Sequence, residues 1–158
     1  AVDRAVEILQ AAELTGGMVD IGGNLRCFGT PANGAKHWQI GLQDPANDEN
    51  ILLKLKMDGR AVATSGDYRR FVMIGGQKHS HIINPATADS AQSLSSVTII
   101  APTAMAADAL STAVSVMGDE KGMKLIESIA DVEAILIPHG KKEVFEKTTG
   151  AEKYILEK

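Results

Sequence analysis

The sequence predicts an α+β fold, built mainly of antiparallel sheet with flanking helices. Short β-type segments outnumber helical ones, and turn residues such as Asp-Gly and Gly-Gly separate several of them, as expected for hairpins between antiparallel strands. The chain has 158 residues, of which 44% are hydrophobic and 23% are charged, which is the balance of a globular domain with a core. We therefore interpret residues 1–158 as one domain or one continuous portion of a domain.

Three helices are predicted. The first opens the chain and should end at the Thr-Gly-Gly sequence of residues 15–17, because glycine adopts the left-handed conformation of a helix C-cap. The second spans Ala101–Gly118, with Pro102-Thr103 at its start and Gly118 at its end. The third follows directly, with Asp119 as its N-cap.

The remaining segments are predicted to be short strands joined by turns. We expect a hairpin turn at Asp58-Gly59 and another at Gly75-Gly76. The glycine pair Gly22-Gly23 interrupts a strand pattern, which is typical of a bulge or of a close approach of the backbone. The predicted strands lie in MVDIGGNLRCFG, WQIGLQDP, ILLKLKM, RAVATSG, RRFVMIGGQKHSHIIN, SVTIIAP, VEAILIP, KEVFEKTTG and EKYILEK.

Composition and missing motifs exclude several function classes. The net charge is −4 and the sequence contains no block of Lys or Arg, so neither nucleic acid nor an anionic lipid surface is an expected partner. Cys27 is the single cysteine, which allows no intrachain disulfide and no cysteine-built zinc site. The sequence has no dinucleotide-binding glycine fingerprint, no Walker A motif and no nucleophile elbow.

The first residues are unusual for an N-terminus. The sequence opens inside an amphipathic helix, without an initiator Met and without a signal peptide. We therefore expect the chain to be a piece of a longer protein.

Asp108 is the only charged residue of the predicted helix Ala101–Gly118. The apolar composition of this helix predicts burial on nearly every side, so the carboxylate should have a partner. Thr112 lies four residues later on the same face, and the two side chains offer hard oxygen ligands that suit Mg²⁺ or Ca²⁺. The alternative is structural: Thr112 bonds back to the carbonyl of residue 108, while Asp108 caps a loop or pairs with an arginine.

Two further segments carry candidate site residues. His79 and His81 are two residues apart, on one side of a predicted strand; they can bind zinc only with a third ligand that is not evident. A single histidine can instead act as a general base or phosphate partner, or be an ordinary surface or core residue. Ser65-Gly66 forms a small-residue turn that can hold a phosphate or a ring edge, or can be only a turn.

Taken in order, six segments resemble the FAD:protein FMN transferase (ApbE) family. They are AVDRA, IGGNLRCFG, WQIGLQDP, RAVATSGDYRRF, HSHIINPAT and SVTIIAPTAMAADALSTAVSVMG. The resemblance implies that residues 1–158 are the C-terminal portion of a longer enzyme. That enzyme is expected to cleave FAD with Mg²⁺ and to attach FMN through a phosphoester to a Thr or Ser of an acceptor protein. Two alternatives remain open: an FAD diphosphatase that gives FMN and AMP, and a non-catalytic flavin-binding lipoprotein.

The resemblance also implies roles for particular residues. Asp108 and Thr112 match metal ligands of the family, and a further ligand comes from the segment before the AVDRA match, which this sequence does not contain. His81 matches the family's histidine and is the candidate base. Candidate flavin contacts are Ile83, Ser65 and Gly66. At two positions of the histidine motif this sequence departs from the family: Asn84 stands for the common Asp, and Ala88 for the common Gly.

Partners and location follow from the resemblance alone. It implies FAD as substrate and, as acceptor, a flavoprotein subunit of a membrane redox complex. It also implies a lipid anchor at the periplasmic face of the bacterial inner membrane, so that membrane association occurs only through an N-terminal anchor that this sequence lacks.

Overall fold

The computed structural model describes residues 1–66, 71–140 and 145–156. Its helices are α1 (Val2–Ala11), α2 (Ala104–Met117) and α3 (Asp119–Glu127). The strands are β1 (Gly16–Ile21), β2 (Asn24–Gly29), β3 (Trp38–Asp44), β4 (Asn47–Met57), β5 (Ala61–Gly66), β6 (Phe71–Ile74), β7 (Gln77–Ser80), β8 (Leu94–Ala101), β9 (Glu133–Pro138), β10 (Glu146–Lys147) and β11 (Ile155–Leu156). A 3₁₀ turn, Ala151–Tyr154, precedes β11.

The described strands form three sheets, and every pairing is antiparallel. The large sheet has the order β1-β2-β5-β8-β9-β10, and the small sheet has the order β11-β4-β3. Strands β6 and β7 pair only with each other among the described residues and form the hairpin sheet. The predicted α+β class with mainly antiparallel sheet is confirmed.

The central strands of the large sheet are buried on both faces. Successive side chains of a strand point to opposite faces. In β8, Ile100 belongs to the core between the large and small sheets, whereas Ile99 belongs to the core under α2 and α3. In β9, Ile135 and Leu136 divide in the same way. The helices are therefore fixed to one face of the large sheet, and α2 packs on β5 and β8.

Two predictions about glycine turns are wrong. Gly22 and Gly23 do not mark a close approach: they form the hairpin turn between β1 and β2, with φ of +67° and +91°, and the space around a Cβ at Gly22 is open. The close approach lies at the other end of these strands, where a Cβ on Gly16 would lie 2.2 Å from the carbonyl oxygen of Thr30. Asp58-Gly59 does not close a hairpin, because it connects β4 of the small sheet to β5 of the large sheet.

Helix ends also differ from the prediction. Helix α1 ends at Ala11, before the glycines, and Glu13 takes the left-handed conformation with φ of +62°. The N–H of Leu14 donates to the carbonyl of Leu9, as in a Schellman cap, so glycine was not required. Asp119 is the first residue of α3, and the N-cap is Gly118.

The described residues of the C-terminal part contain less strand than predicted. Of the residues described after Pro138, only Glu146–Lys147 and Ile155–Leu156 pair as strands, and the 3₁₀ turn occupies part of the last predicted strand. Parts of three predictions, at residues 67–70, 141–144 and 157–158, lie outside the described residues. Within the described ranges, no helix has the length and apolar character needed to span a membrane.

Candidate active site

Helix α2 has one buried face and one exposed strip. Its buried residues are small or aliphatic, which lets the helix lie close to the large sheet; they are Ala104, Ala107, Ser111, Val114 and Ser115. The exposed strip runs through Met105, Asp108, Ala109 and Thr112, and Met117 at the end of the helix is also exposed. The expected burial of α2 on nearly every side is therefore wrong, because α2 covers one face of the sheet and its outer side is exposed.

Asp108 and Thr112 lie one turn apart on this exposed strip. The Thr112 hydroxyl donates to the carbonyl of Asp108 at 3.3 Å, which is the structural alternative considered for Thr112. Within the described residues the Asp108 carboxylate has no hydrogen bond and no ion pair, so the arginine partner considered for it is not present there.

These two side chains offer oxygen atoms of the kind that a hard divalent cation takes as ligands. A threonine that donates its proton keeps its oxygen lone pairs, and the Asp108 carboxylate has no competing donor among the described residues. The described residues contain no group of three or more His, Cys, Asp or Glu side chains placed to hold a metal. Mg²⁺ does not require such a group, because it commonly keeps several waters and takes substrate phosphates as ligands.

Ser65 is connected to the same helix. Its hydroxyl oxygen lies 2.8 Å from that of Ser111, and Ser111 donates to the carbonyl of Asp108 at 2.9 Å. Gly66 follows at the end of β5, where it pairs with Ser96. The structure therefore brings the Ser65-Gly66 end of β5 to the turn of α2 that carries Asp108.

His81 and Ile83 lie on a different segment, after the hairpin sheet. Strand β7 ends at Ser80, so His79 is in the strand and His81 follows it in an exposed position. The predicted sharing of one strand face is wrong for this pair. His79 Nδ1 lies 3.5 Å from the hydroxyl oxygen of Ser90, and Ile83 is exposed.

The loop after His81 contains both residues that depart from the motif named above, and it accommodates them differently. The Asn84 side-chain oxygen accepts from the N–H of Ala86 at 3.0 Å, a bond that a carboxylate oxygen can also accept. The N–H of Ala88 donates to the carbonyl of Asn84, and Ala88 has φ of +60°. Asparagine therefore keeps the turn, whereas Ala88 occupies a conformation that favours glycine.

Sequence reasoning missed Asp3. Its Oδ1 accepts from the N–H of Ala104 at 2.9 Å and from Nη1 of Arg26 at 2.7 Å, and its Oδ2 accepts from the N–H of Met105 at 2.9 Å. Partial burial acts to raise the pKa of Asp3, but the hydrogen bonds from Ala104, Met105 and Arg26 together hold it below its usual value. The only signal in the sequence was the lack of any acidic residue in the first turn of α2.

A cavity of about 350 Å³ lies between the large and small sheets, on the face of the large sheet opposite to α2, and Thr64 and Ser96 line it at the end of β5. Its walls include Leu25, Ile40, Val62 and Thr98. None of the predicted site residues lines it. The contacts of Ser65, Asp108 and Thr112 place the candidate active site on the outer side of α2 and at the adjoining end of β5.

Comparison with known proteins identifies the family. The family model of the ApbE family matches residues 1–136. The FAD:protein FMN transferase of Vibrio cholerae serotype O1 is 36% identical over 129 residues, which are 80% of this chain and 38% of that protein. The protein of the same name from Treponema pallidum is 34% identical over 144 residues, which are 85% of this chain and 40% of that protein.

Solved structures give the same result. A crystal structure of the ApbE protein from Thermotoga maritima matches with a TM-score of 0.87 and 33% identity, over 99% of this chain and 50% of that chain. The apo form of the Pseudomonas stutzeri flavinyl transferase ApbE matches with a TM-score of 0.79 and 30% identity, over 97% and 48%. This chain thus spans about two fifths of these curated relatives and half of these solved chains. The chain belongs to the ApbE family.

Proposed function

We propose that the protein carrying this chain is a Mg²⁺-dependent flavin transferase, which cleaves FAD and attaches FMN to a Thr or Ser of an acceptor protein. Relatives named FAD:protein FMN transferase support the reaction class. The observation that carries the proposal is the exposed pair of Asp108 and Thr112, which lie one turn apart on α2 and offer oxygen ligands of the kind that Mg²⁺ takes.

Asp108 and Thr112 would hold the cation on α2. When bound there, Mg²⁺ supplies neutralising charge to the FAD diphosphate and to the AMP that leaves. A ligand on a helix packed against a sheet is more precisely placed than one on a loop. The bonds Ser65–Ser111 and Ser111–Asp108 tie this turn of the helix to β5, so they help to hold the Asp108 backbone in place.

His81 is the proposed base. It accepts the proton of the acceptor hydroxyl as the hydroxyl oxygen forms a bond to the phosphorus of the FMN moiety; the phosphoanhydride bond breaks and AMP leaves. The exposed position of His81 lets the side chain of another protein reach it. Water at the same place would give FMN and AMP, so the diphosphatase reaction uses the same groups.

The proposed flavin contacts are Ile83, Ser65 and Gly66. Ile83 exposes half of its surface, an apolar area that can cover one face of a flavin ring. Ser65 and Gly66 lie at the end of β5, next to α2, where main-chain groups can meet the flavin or its phosphate.

The proposed acceptor is a flavoprotein subunit of a membrane redox complex, and the proposed location is the periplasmic face of the bacterial inner membrane, through a lipid anchor. Both rest on the family resemblance. Fractionation of cells that produce the full-length protein, with and without detergent, tests the location.

Incubation of the full-length protein with FAD, Mg²⁺ and an acceptor separates the three candidate functions. We expect flavin fluorescence on the acceptor band after denaturing electrophoresis, and no label on an acceptor whose target Thr is replaced by Val. Release of AMP without a labelled band would establish the diphosphatase instead. FAD binding without either product would establish a flavin-binding protein.

The His81→Ala variant tests the base. We expect the rate of transfer to fall by about a hundredfold, while the Kd for FAD changes much less, because general base catalysis contributes about 10²–10⁴-fold. His79→Ala is the matched control, since His79 lies two residues away in β7 and has no proposed role. Equal losses of FAD binding and of rate would make His81 a binding residue.

A further inference from the structure

The first turn of α2 is held by a side chain from a distant part of the chain. Asp3 lies 101 residues before Ala104, and its carboxylate accepts hydrogen bonds from the backbone N–H groups of both Ala104 and Met105. Arg26 of β2 binds the same carboxylate. One carboxylate therefore connects α1, β2 and α2.

Asp3 and Thr103 together satisfy the N-terminal donors of α2, but in different ways. The Thr103 hydroxyl accepts from the N–H of Ala106 at 3.2 Å, and its carbonyl accepts from Ala107 at 3.1 Å. Thr103 adjoins the helix in sequence, so its bonds move with the helix. Asp3 belongs to α1, so its bonds fix where the first turn of α2 lies.

The Asp3 carboxylate is itself occupied. Its two oxygens accept three hydrogen bonds from Ala104, Met105 and Arg26, and only about a quarter of its side chain is exposed. It is thus poorly placed to be a metal ligand. Its effect on a metal would act through α2, in which Asp108 follows Met105 by about one turn, or roughly 5 Å along the helix axis.

We propose that Asp3 is a positioning residue, whose tether from α1 and β2 to the first turn of α2 holds Asp108 and Thr112 where they bind Mg²⁺. This inference rests on the proposed metal-binding role of Asp108 and Thr112. It differs from that role because Asp3 itself touches neither the cation nor the substrate. Groups that orient metal ligands typically change metal affinity by 10–100-fold when they are replaced.

The test compares three variants of the full-length protein by isothermal titration with Mg²⁺ alone. Asp3→Asn keeps the shape of the side chain but places an amide against backbone donors, and we expect it to raise the Kd for Mg²⁺ by about tenfold or more. Thr103→Ala removes a cap from the same helix end without touching the tether, and we expect no change in Kd. Asp108→Asn removes the proposed ligand, and we expect binding to be lost.

Amide hydrogen exchange and thermal unfolding provide readouts that do not depend on activity. In Asp3→Asn we expect faster exchange at Ala104 and Met105, whereas Thr103→Ala should lower the Tm while leaving Mg²⁺ binding intact. If Asp3→Asn fails to fold, Arg26→Gln replaces it; this change leaves the Asp3 bonds to α2 but removes their anchor on β2, and a weaker increase in Kd is expected.

The Mg²⁺ affinities of these variants distinguish a positioning role of Asp3 from a purely structural one. Unchanged Mg²⁺ affinity in Asp3→Asn, or in Arg26→Gln where that variant is used, with binding lost in Asp108→Asn, would overturn the positioning role and leave the metal site intact. Equal weakening by Asp3→Asn and Thr103→Ala would make Asp3 only a helix cap. Unchanged affinity in Asp108→Asn would overturn the proposed metal site itself.

Discussion

The N-termini of α2 and α3 differ in where their acidic side chains come from. Each helix begins with backbone N–H groups that have no partner inside the helix, and with the positive end of its dipole. Helix α3 carries its own acids, Asp119 and Glu120, in its first turn and has no side-chain bond from its N-cap. Helix α2 has no acid in its first turn and takes Asp3 from α1. A local acid stabilises a helix, whereas a remote acid also fixes its position, and the remote acid is found on the helix with the candidate metal ligands.

Removing the remote acid should have the largest effect on stability. We expect Asp3→Ala to lower the free energy of unfolding by about 2–3 kcal/mol, because it removes charge-assisted bonds and leaves Arg26 without its carboxylate. Asp119→Ala should cost only about 0.3–1 kcal/mol, the usual effect of a charge at a helix end. Urea denaturation of the full-length variants measures both free energies of unfolding. Equal decreases for Asp3→Ala and Asp119→Ala would show that the remote acid stabilises the protein no more than a local one.

The contribution of Asp3 to the free energy of unfolding should decrease as the pH falls. The folded pKa of Asp3 lies below its ordinary value of 3.8, so the unfolded chain takes up the proton first as the pH falls. The stability that Asp3 contributes is complete above the unfolded pKa and is lost as the pH drops through the folded pKa. We expect the unfolding free energy of Asp3→Asn to fall less than that of the parent protein between about pH 5 and pH 3. If the free energies of unfolding of the two proteins fell equally over this pH range, the lowered pKa of Asp3 would be contradicted.

A smaller effect concerns residues in the left-handed conformation. Glu13 closes α1 with φ of +62°, and Ala88 lies in the His81 loop with φ of +60°. Replacement of either by glycine should stabilise the protein by up to about 1 kcal/mol, since a Cβ is unfavourable there. Glu7→Gly, inside α1, should instead cost about 1 kcal/mol. Thermal unfolding of the three variants tests the sign, and a lower Tm for Glu13→Gly would refute this interpretation of the α1 cap.

Features set by neighbouring residues were predictable from the sequence. Thr103 and Gly118 do bound α2, Gly75-Gly76 does form the β6–β7 turn, and Asp108 and Thr112 do share a helix face. These outcomes depend on local conformation, which turn, cap and periodicity rules describe.

Features set by distant contacts were not predictable in this way. The apolar composition of α2 did not reveal that only one side of the helix is covered, so Asp108 was expected to be buried and is exposed. The turn at Asp58-Gly59 has hairpin chemistry, but the strands that it joins belong to different sheets. The bonds from Asp3 to α2 span 101 residues, and no spacing rule connects such positions.

We propose above all that Asp108 holds the cation at which FAD is cleaved. The most direct measurement is the rate of AMP release from FAD, as a function of Mg²⁺ concentration, by the full-length protein and its Asp108→Asn and Asp119→Asn variants. We predict at least a hundredfold loss of rate for Asp108→Asn, with an unchanged far-ultraviolet circular dichroism spectrum, and a normal rate for Asp119→Asn. A normal, Mg²⁺-dependent rate in Asp108→Asn would contradict the claim.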